Sequence, residues 1–154
     1  MAQELSGRAA WLIQTGALAT SIPVYVLVAF FAVGRREAPP EGPPGVLPWL
    51  LAGACLALLA VSATVAPRVA PGARRAELPP AGWFRSRSLL SVALVEAAAI
   101  VGLVGAFLMK DVRAALFPAG AALLLLGVHH LPNGLRYWAA LERPDDEIPA
   151  LGPE

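Results

Sequence analysis

Charged residues are scarce in this chain. They make up 15% of its 154 residues, against about a quarter in a typical soluble domain. The few charges cluster in short segments between long apolar runs, a pattern typical of a helical membrane protein. Cysteine is almost absent: Cys55 stands alone in an apolar run, which excludes a disulfide framework and a cysteine metal site. With a net charge of +1 and no Lys/Arg cluster among aromatics, we expect no nucleic acid partner.

Histidine and catalytic motifs are equally sparse. The two histidines, His129 and His130, are adjacent, and neighbouring helical residues point about 100° apart, so they cannot ligate one iron together. We expect both to lie near lipid headgroups and to hold neither haem nor metal. No Ser-His-Asp, Cys-His, phosphate-loop or zinc-protease pattern is present. We therefore expect a chain that is not an enzyme by itself, with no cofactor and no identifiable small-molecule substrate.

Long apolar runs define the fold class. Each is long enough to cross a bilayer as a helix, so the sequence predicts an all-α polytopic membrane protein in a single membrane domain. Because the N-terminus lacks a strongly basic segment and a clear cleavage site, we expect the first run to be retained. The predicted spans cover residues 11–33, 47–66, 88–109 and 112–131, with irregular loops at 34–46 and 67–87 and an acidic tail at 132–154.

Proline and capping residues refine these limits. Pro23 should kink the first span, where the Thr20 and Ser21 hydroxyls are placed to satisfy freed backbone groups. Asp111 is a candidate N-cap for the fourth span, which residues 132–134 (Pro-Asn-Gly) should stop. Because only two residues separate the last two spans, these should form a tight antiparallel hairpin.

The distribution of basic residues predicts the orientation. With four spans, both termini and the 67–87 loop share one side, and that side carries the excess of arginine, which predicts a cytoplasmic location. The arginines on that side are Arg8, Arg68, Arg74, Arg75, Arg85, Arg87, Arg136 and Arg143, against Arg35, Arg36, Lys110 and Arg113 on the other. We expect the larger aromatics to act as interfacial anchors or packing groups: Tyr25, Trp49, Trp83 and Trp138.

The two halves of the chain show weak internal similarity. Residues 52–61 match residues 119–128 at all but three positions, and residues 17–31 align less well with residues 93–107. Two duplicated helical hairpins would explain this, and so would a shared Ala/Leu/Gly/Val composition. In a duplication, Thr20 takes the place of Glu96.

Glu96 is the only charge in the run 88–109. A carboxylate at membrane depth costs roughly 2.5–3.5 kcal/mol on insertion scales, so it is a candidate functional residue. Burial without a cation favours the protonated carboxyl, which makes a switchable proton carrier. A sodium carrier would need more oxygens, for which Ser91, Ser62 and Thr64 are candidates. The alternative is a structural carboxyl bonded to a neighbouring span or subunit.

A row of small residues runs beside Glu96. Ala98, Gly102 and Ala106 are spaced four apart, so another helix can approach this surface closely. We therefore predict that these three residues pack helices together.

Residues 93–107 (Ala-Leu-Val-Glu-Ala-Ala-Ala-Ile-Val-Gly-Leu-Val-Gly-Ala-Phe) resemble the carboxylate helix of the rotary ATPase proteolipid, the c subunit. The resemblance covers about residues 52–108, without that family's glycine ladder or polar-loop motif. It implies a proton-translocating subunit, with Glu96 as the ion-carrying carboxylate and sodium as the alternative ion.

By this resemblance we expect an integral protein, in the bacterial inner membrane, with both termini cytoplasmic. Its partners would be lipid and either other membrane subunits or further copies of itself. The competing hypothesis is a non-transporting accessory or scaffold subunit of a larger membrane complex.

Overall fold

A computed structural model describes residues 2–34 and 45–143, and every regular element in these ranges is helical. The elements are α1 (Ala2–Val33), α2 (Leu47–Val65), a 3₁₀ turn (Arg75–Glu77), α3 (Ala81–Met109), α4 (Arg113–Leu125), a π turn (Leu126–His130) and α5 (Leu131–Glu142). Four of the resulting rods are long and apolar enough to cross a membrane, the fourth being the continuous stretch Arg113–Glu142. The all-α, four-span class is therefore confirmed. The predicted irregular stretches at 35–44 and beyond 143 lie outside the described residues.

The third helix is longer than predicted. It begins at Ala81, directly after Pro80, so residues 81–87 extend the span instead of belonging to the loop. Phe84 in this added segment is fully buried, which gives the extension tertiary contacts that the polar sequence did not suggest. Three residues then link it to α4, with Lys110 in the left-handed conformation and the Asp111 carboxylate accepting the Arg113 backbone N–H (2.9 Å).

The prediction that residues 132–134 stop the fourth helix is wrong. The chain stays helical through the π turn, in which the Leu131 N–H bonds the Leu126 carbonyl, and Pro132 falls in the first turn of α5. Asn133 instead anchors the loop: its Oδ1 accepts the Val69 N–H (2.8 Å), and its Nδ2 donates to the Pro67 carbonyl.

The hydroxyls near Pro23 in α1 do not bond the backbone group that the prediction assigned to them. The Thr20 hydroxyl bonds the Ala17 carbonyl and the Ser21 hydroxyl lies 2.7 Å from the Leu18 carbonyl. Neither bonds the Ala19 carbonyl, which Pro23 leaves without its usual N–H donor.

Helix α3 is the centre of the bundle, since its main contacts reach α1, α2 and α4. The outward faces are apolar: Trp49 of α2 is 78% exposed and Phe117 of α4 is 75% exposed. Exposed apolar surface of this extent fits contact with a lipid bilayer. Trp138, by contrast, is only 2% exposed and is a packing group.

The end of the bundle that carries both chain termini is closed by aromatic side chains. Phe84 and Tyr137 stack with ring centroids 3.6 Å apart, and the Tyr137 hydroxyl donates to the Pro79 carbonyl (2.8 Å). Trp11 is fully buried and its Nε1 donates to Ser88 Oγ (2.9 Å). These contacts bring α1, the 66–80 loop, α3 and α5 to one end, as the four-span topology requires.

We predict that Gly134→Ala destabilises the bundle, because a Cβ at this position would overlap the Trp11 ring. Overpacking of this kind costs about 1–3 kcal/mol. Thermal unfolding in detergent should show a lower midpoint for this variant. The matched control is Gly120→Ala, where a Cβ meets no atom within 4 Å; a Gly134→Ala midpoint equal to that of the control would contradict the packing described here.

Candidate functional site around Glu96

Glu96 lies close to the midpoint of α3. At 1.5 Å per residue its Cα is roughly 20 Å along the axis from either end of the helix. In a hydrocarbon core about 30 Å thick, a carboxyl this far from both ends of the helix would lie near the middle, where water is least available.

Two hydroxyls of α1 contact the carboxyl. Ser21 Oγ lies 2.6 Å and Tyr25 Oη 2.7 Å from Glu96 Oε1. Both contacts converge on the same oxygen, and no described residue bonds Oε2. The cluster joins α1 to α3 across their shared face, and we call Ser21, Tyr25 and Glu96 the carboxyl cluster.

The Ser21 hydroxyl has two acceptors for one proton. Its Oγ lies 2.7 Å from the Leu18 carbonyl and 2.6 Å from Glu96 Oε1. When Glu96 is ionised, Ser21 donates to the carboxylate. When Ser21 donates to the Leu18 carbonyl, the short contact requires that a protonated Glu96 donates to Ser21 Oγ. Rotation of one hydroxyl thus satisfies the cluster in either protonation state of Glu96.

The hydrogen bonds to a charged Glu96 offset part of the cost of placing its charge in the membrane. Insertion of a carboxylate at the membrane centre costs roughly 2.5–3.5 kcal/mol. Hydrogen bonds to charged groups contribute about 1.5–3 kcal/mol each, whereas bonds between membrane helices average about 0.6 kcal/mol. Two such bonds therefore offset a part of the cost of the charged form that ranges from about a third to all of it.

The carboxyl cluster lies at the margin of the bundle. Its three side chains are half-buried, and Ala93 and Ile100, one turn to either side of Glu96, are exposed. A shallow groove between α1 and α3, lined by Leu18, Leu89 and Ala93 among others, ends one turn before Glu96. At its other end Arg85 donates to Gln14 Oε1 (3.0 and 3.2 Å). The site therefore faces the lipid side of the α1–α3 interface.

The three small residues predicted to pack helices are all buried. Ala98 and Ala106 are 0% exposed. A Cβ on Gly102 would lie 2.8 Å from Pro118 Cγ and 3.2 Å from the Ala114 carbonyl oxygen, so α3 and α4 meet closely at this glycine.

A second polar cluster lies deeper in the bundle. His130, predicted to lie near headgroups, is buried, since the fourth rod continues well beyond it. Its Nε2 lies 2.9 Å from Ser62 Oγ and its Nδ1 lies 3.5 Å from Ser91 Oγ. Ser62 and Ser91, considered as sodium ligands beside Glu96, thus contact His130 instead. Thr64, the third candidate, is exposed and donates to the Val61 carbonyl (2.8 Å).

The sequence analysis did not identify the residues that hydrogen-bond Glu96. Ser21 was assigned to the backbone near Pro23, and Tyr25 to an interfacial or packing role. One signal was available: Gln14, Leu18, Ser21 and Tyr25 follow helical spacing along one stripe of α1. A polar stripe on a membrane helix indicates a facing polar group.

We predict that Tyr25→Phe favours the protonated form of Glu96, because the charged form loses one hydroxyl donor. Labelling by dicyclohexylcarbodiimide, which modifies protonated carboxyls in apolar sites, should therefore be stronger in this variant when both proteins are compared across a range of pH. The matched control is Thr20→Val, since the Thr20 hydroxyl bonds only its own helix at Ala17. An identical pH dependence in Tyr25→Phe and the control would show that the Tyr25 contact is unimportant.

No three His, Cys, Asp or Glu side chains come together as a metal site in the described ranges. Comparison with protein-family models, with curated proteins and with solved structures gave no match for this chain. The functional conclusion therefore depends on the carboxyl cluster and its surroundings.

Proposed function

We propose that this chain is a proteolipid-like membrane subunit that carries protons by reversible protonation of Glu96. The observation that supports this most directly is the position of Ser21, whose hydroxyl can turn between the Leu18 carbonyl and the Glu96 carboxyl. A carrier must hold its proton and release it without a large penalty in either state. The carboxyl cluster offers that property at the middle of a membrane span.

The margin position of Glu96 supports the same function. A carboxyl that exchanges protons with a moving partner or with water must be reachable from outside the bundle. Exposed Ala93 and Ile100 leave the α1–α3 face open on both sides of Glu96. Glu96 Oε2, which no described residue bonds, is the atom through which such a partner would act. In this mechanism Glu96 is protonated while it faces lipid and ionised where water or a partner's cation approaches.

We infer the orientation of the chain and its membrane from the basic residues and from the resemblance to the rotary ATPase proteolipid. Described arginines concentrate at the end of the bundle that carries the termini, which would be cytoplasmic by the positive-inside rule. We place the protein in the bacterial inner membrane, surrounded by lipid and by other subunits or further copies.

The second candidate is a non-transporting accessory or scaffold subunit. The observation in its favour is that both hydroxyls on Glu96 come from α1 of the same chain, as in a fixed link between two helices. In that case the carboxyl would stabilise the α1–α3 contact and would not change its protonation state during function.

We predict that Glu96→Gln abolishes proton flux. The amide keeps the shape and accepts the same hydroxyls, but it cannot carry a proton at neutral pH. The full-length protein would be reconstituted in liposomes, and flux driven by a potassium diffusion potential would be followed with an internal pH dye. Flux should fall to that of empty liposomes, and pH-dependent carbodiimide labelling should disappear.

The matched control is Glu77→Gln, which changes an exposed carboxyl in the 66–80 loop that pairs only weakly with Arg74 (3.9 Å). Its flux and labelling should equal those of the unchanged protein. If Glu96→Gln keeps the full flux while the assembly seen by native mass spectrometry falls apart, the scaffold function replaces the carrier.

A further inference from the structure

One layer of the bundle contains a polar side chain from each span. Thr15, Ser62, Ser91 and His130 are all at least nine-tenths buried. Contacts of Trp11 with Gly134 and of Gly7 with Trp138 set the register between α1 and the fourth span. Four residues along α1 from Trp11 therefore bring Thr15 to the level of His130. We call these four residues the polar layer.

Both serine hydroxyls in the polar layer donate hydrogen bonds to backbone carbonyls. Ser62 Oγ donates to the Ser91 carbonyl (2.7 Å), and Ser91 Oγ donates to the Ser88 carbonyl (2.8 Å). Both hydroxyls then present only lone pairs to the imidazole of His130. Since a hydroxyl has one proton, Nε2–H of His130 donates to Ser62 Oγ while Ser62 bonds the Ser91 carbonyl.

The second ring nitrogen has two possible states. A protonated Nδ1–H can donate to Ser91 Oγ as it stands, and the 3.5 Å separation leaves room for this bond to shorten. A neutral Nδ1 is satisfied if the Ser91 hydroxyl turns away from the Ser88 carbonyl and donates to the ring. His130 can therefore gain or lose a proton by rotation of a single hydroxyl, as Glu96 can with Ser21.

One hydroxyl of the polar layer has no partner in the part of the chain that the structure describes. Thr15 Oγ1 is buried and makes no hydrogen bond there. A buried hydroxyl without a partner costs about 1–3 kcal/mol. Thr15 can therefore accept a hydrogen bond from a water molecule or a hydrated proton that enters the polar layer.

The charges around the polar layer leave His130 without a counter-ion. Helix α2 contains no charged residue. On α1 the nearest described charge is Arg8, which is paired with Glu142 (2.8 Å); on the fourth span it is Arg136, with His129 the adjacent titratable group. The charged residues on α3 are Arg85, Arg87 and Glu96, and Arg85 is bound to Gln14 at the end of the bundle. Glu96 is the only carboxyl on α3 and lies about 7.5 Å beyond Ser91 along the axis.

We propose that His130 exchanges protons between Glu96 and the side of the membrane that carries the termini. This inference rests on the proposed function of Glu96. A proton from that side binds Nδ1 of neutral His130 to give the imidazolium. It then passes to the Glu96 carboxylate, and His130 returns to its neutral form. Ile22, Val92 and Val95 are buried near this step, so water must enter for the transfer.

The test measures the rate at which Glu96 is protonated. The full-length protein in liposomes receives a proton pulse from a photolysed caged acid, and time-resolved infrared spectroscopy follows the carboxyl C=O band that Glu96→Gln removes. His130→Gln keeps a donor for Ser62 but cannot titrate. The rate should fall by roughly 10²-fold, the lower end of what a positioned proton-transfer group contributes. His129→Gln is the matched control and should leave the rate unchanged.

A second variant covers the case in which His130→Gln fails to fold. Ser91→Ala removes the hydroxyl that faces Nδ1 but keeps the contact of His130 with Ser62, and the rate should fall by about fivefold, the effect of one ordinary hydrogen bond. A Glu96 band that rises at the original rate in His130→Gln, or in Ser91→Ala where only that variant folds, overturns the role of His130 and leaves the carrier function intact. The absence of any titrating Glu96 band would instead overturn the proposed function itself.

Discussion

The hydrogen bonds between Glu96 and the α1 hydroxyls are the constraint on which the rest of the site depends. In hydrocarbon, a carboxyl without partners would be held in its neutral form or would prevent insertion. Ser21 and Tyr25 supply two hydroxyls within 2.7 Å. This requirement fixes the rotation of α1 against α3, because both hydroxyls must face the same side of the bundle. Ile22, between them in sequence, then faces the core and packs with Val92 and Val95.

The carboxyl cluster and the polar layer share one arrangement of hydrogen bonds. At each, a serine lies within hydrogen-bond reach of a carbonyl one turn earlier in its own helix and of a titratable side chain on another helix. In water this would matter little, since solvent can satisfy either state. In a membrane the serine takes the place of solvent. The hydroxyl rotates on a much faster timescale than helices move, so protonation at Glu96 or His130 does not require the backbone to rearrange.

The sequence was sufficient for the membrane class, because apolar run length is a property of single segments. It also singled out Glu96 as a lone charge in such a run, and the role of that residue stays a prediction. It failed wherever the answer depended on two segments. The partners of Glu96 and the burial of His130 follow from the register between helices, which local patterns do not encode. The stop predicted at residues 132–134 applied a rule for isolated helix ends. In the structure, the π turn and the contacts of Asn133 with the loop override that rule.

The two halves of the bundle differ in a way that bears on transport. From the terminal end to its middle, the interior contains Ser88 and the polar layer, and the carboxyl cluster lies beyond them at the margin of the bundle. Beyond Glu96, Ala29, Ala106 and Ala115 form an apolar core. Gly102 packs closely against Pro118, and both residues line an apolar cavity of about 190 Å³ between α2, α3 and α4. Under the proposed carrier function, polar side chains inside the bundle would lead to Glu96 from the terminal end. Release toward the opposite side would proceed from the outer α1–α3 face, where Glu96 is half-buried. A second copy of the chain on that face would complete the path.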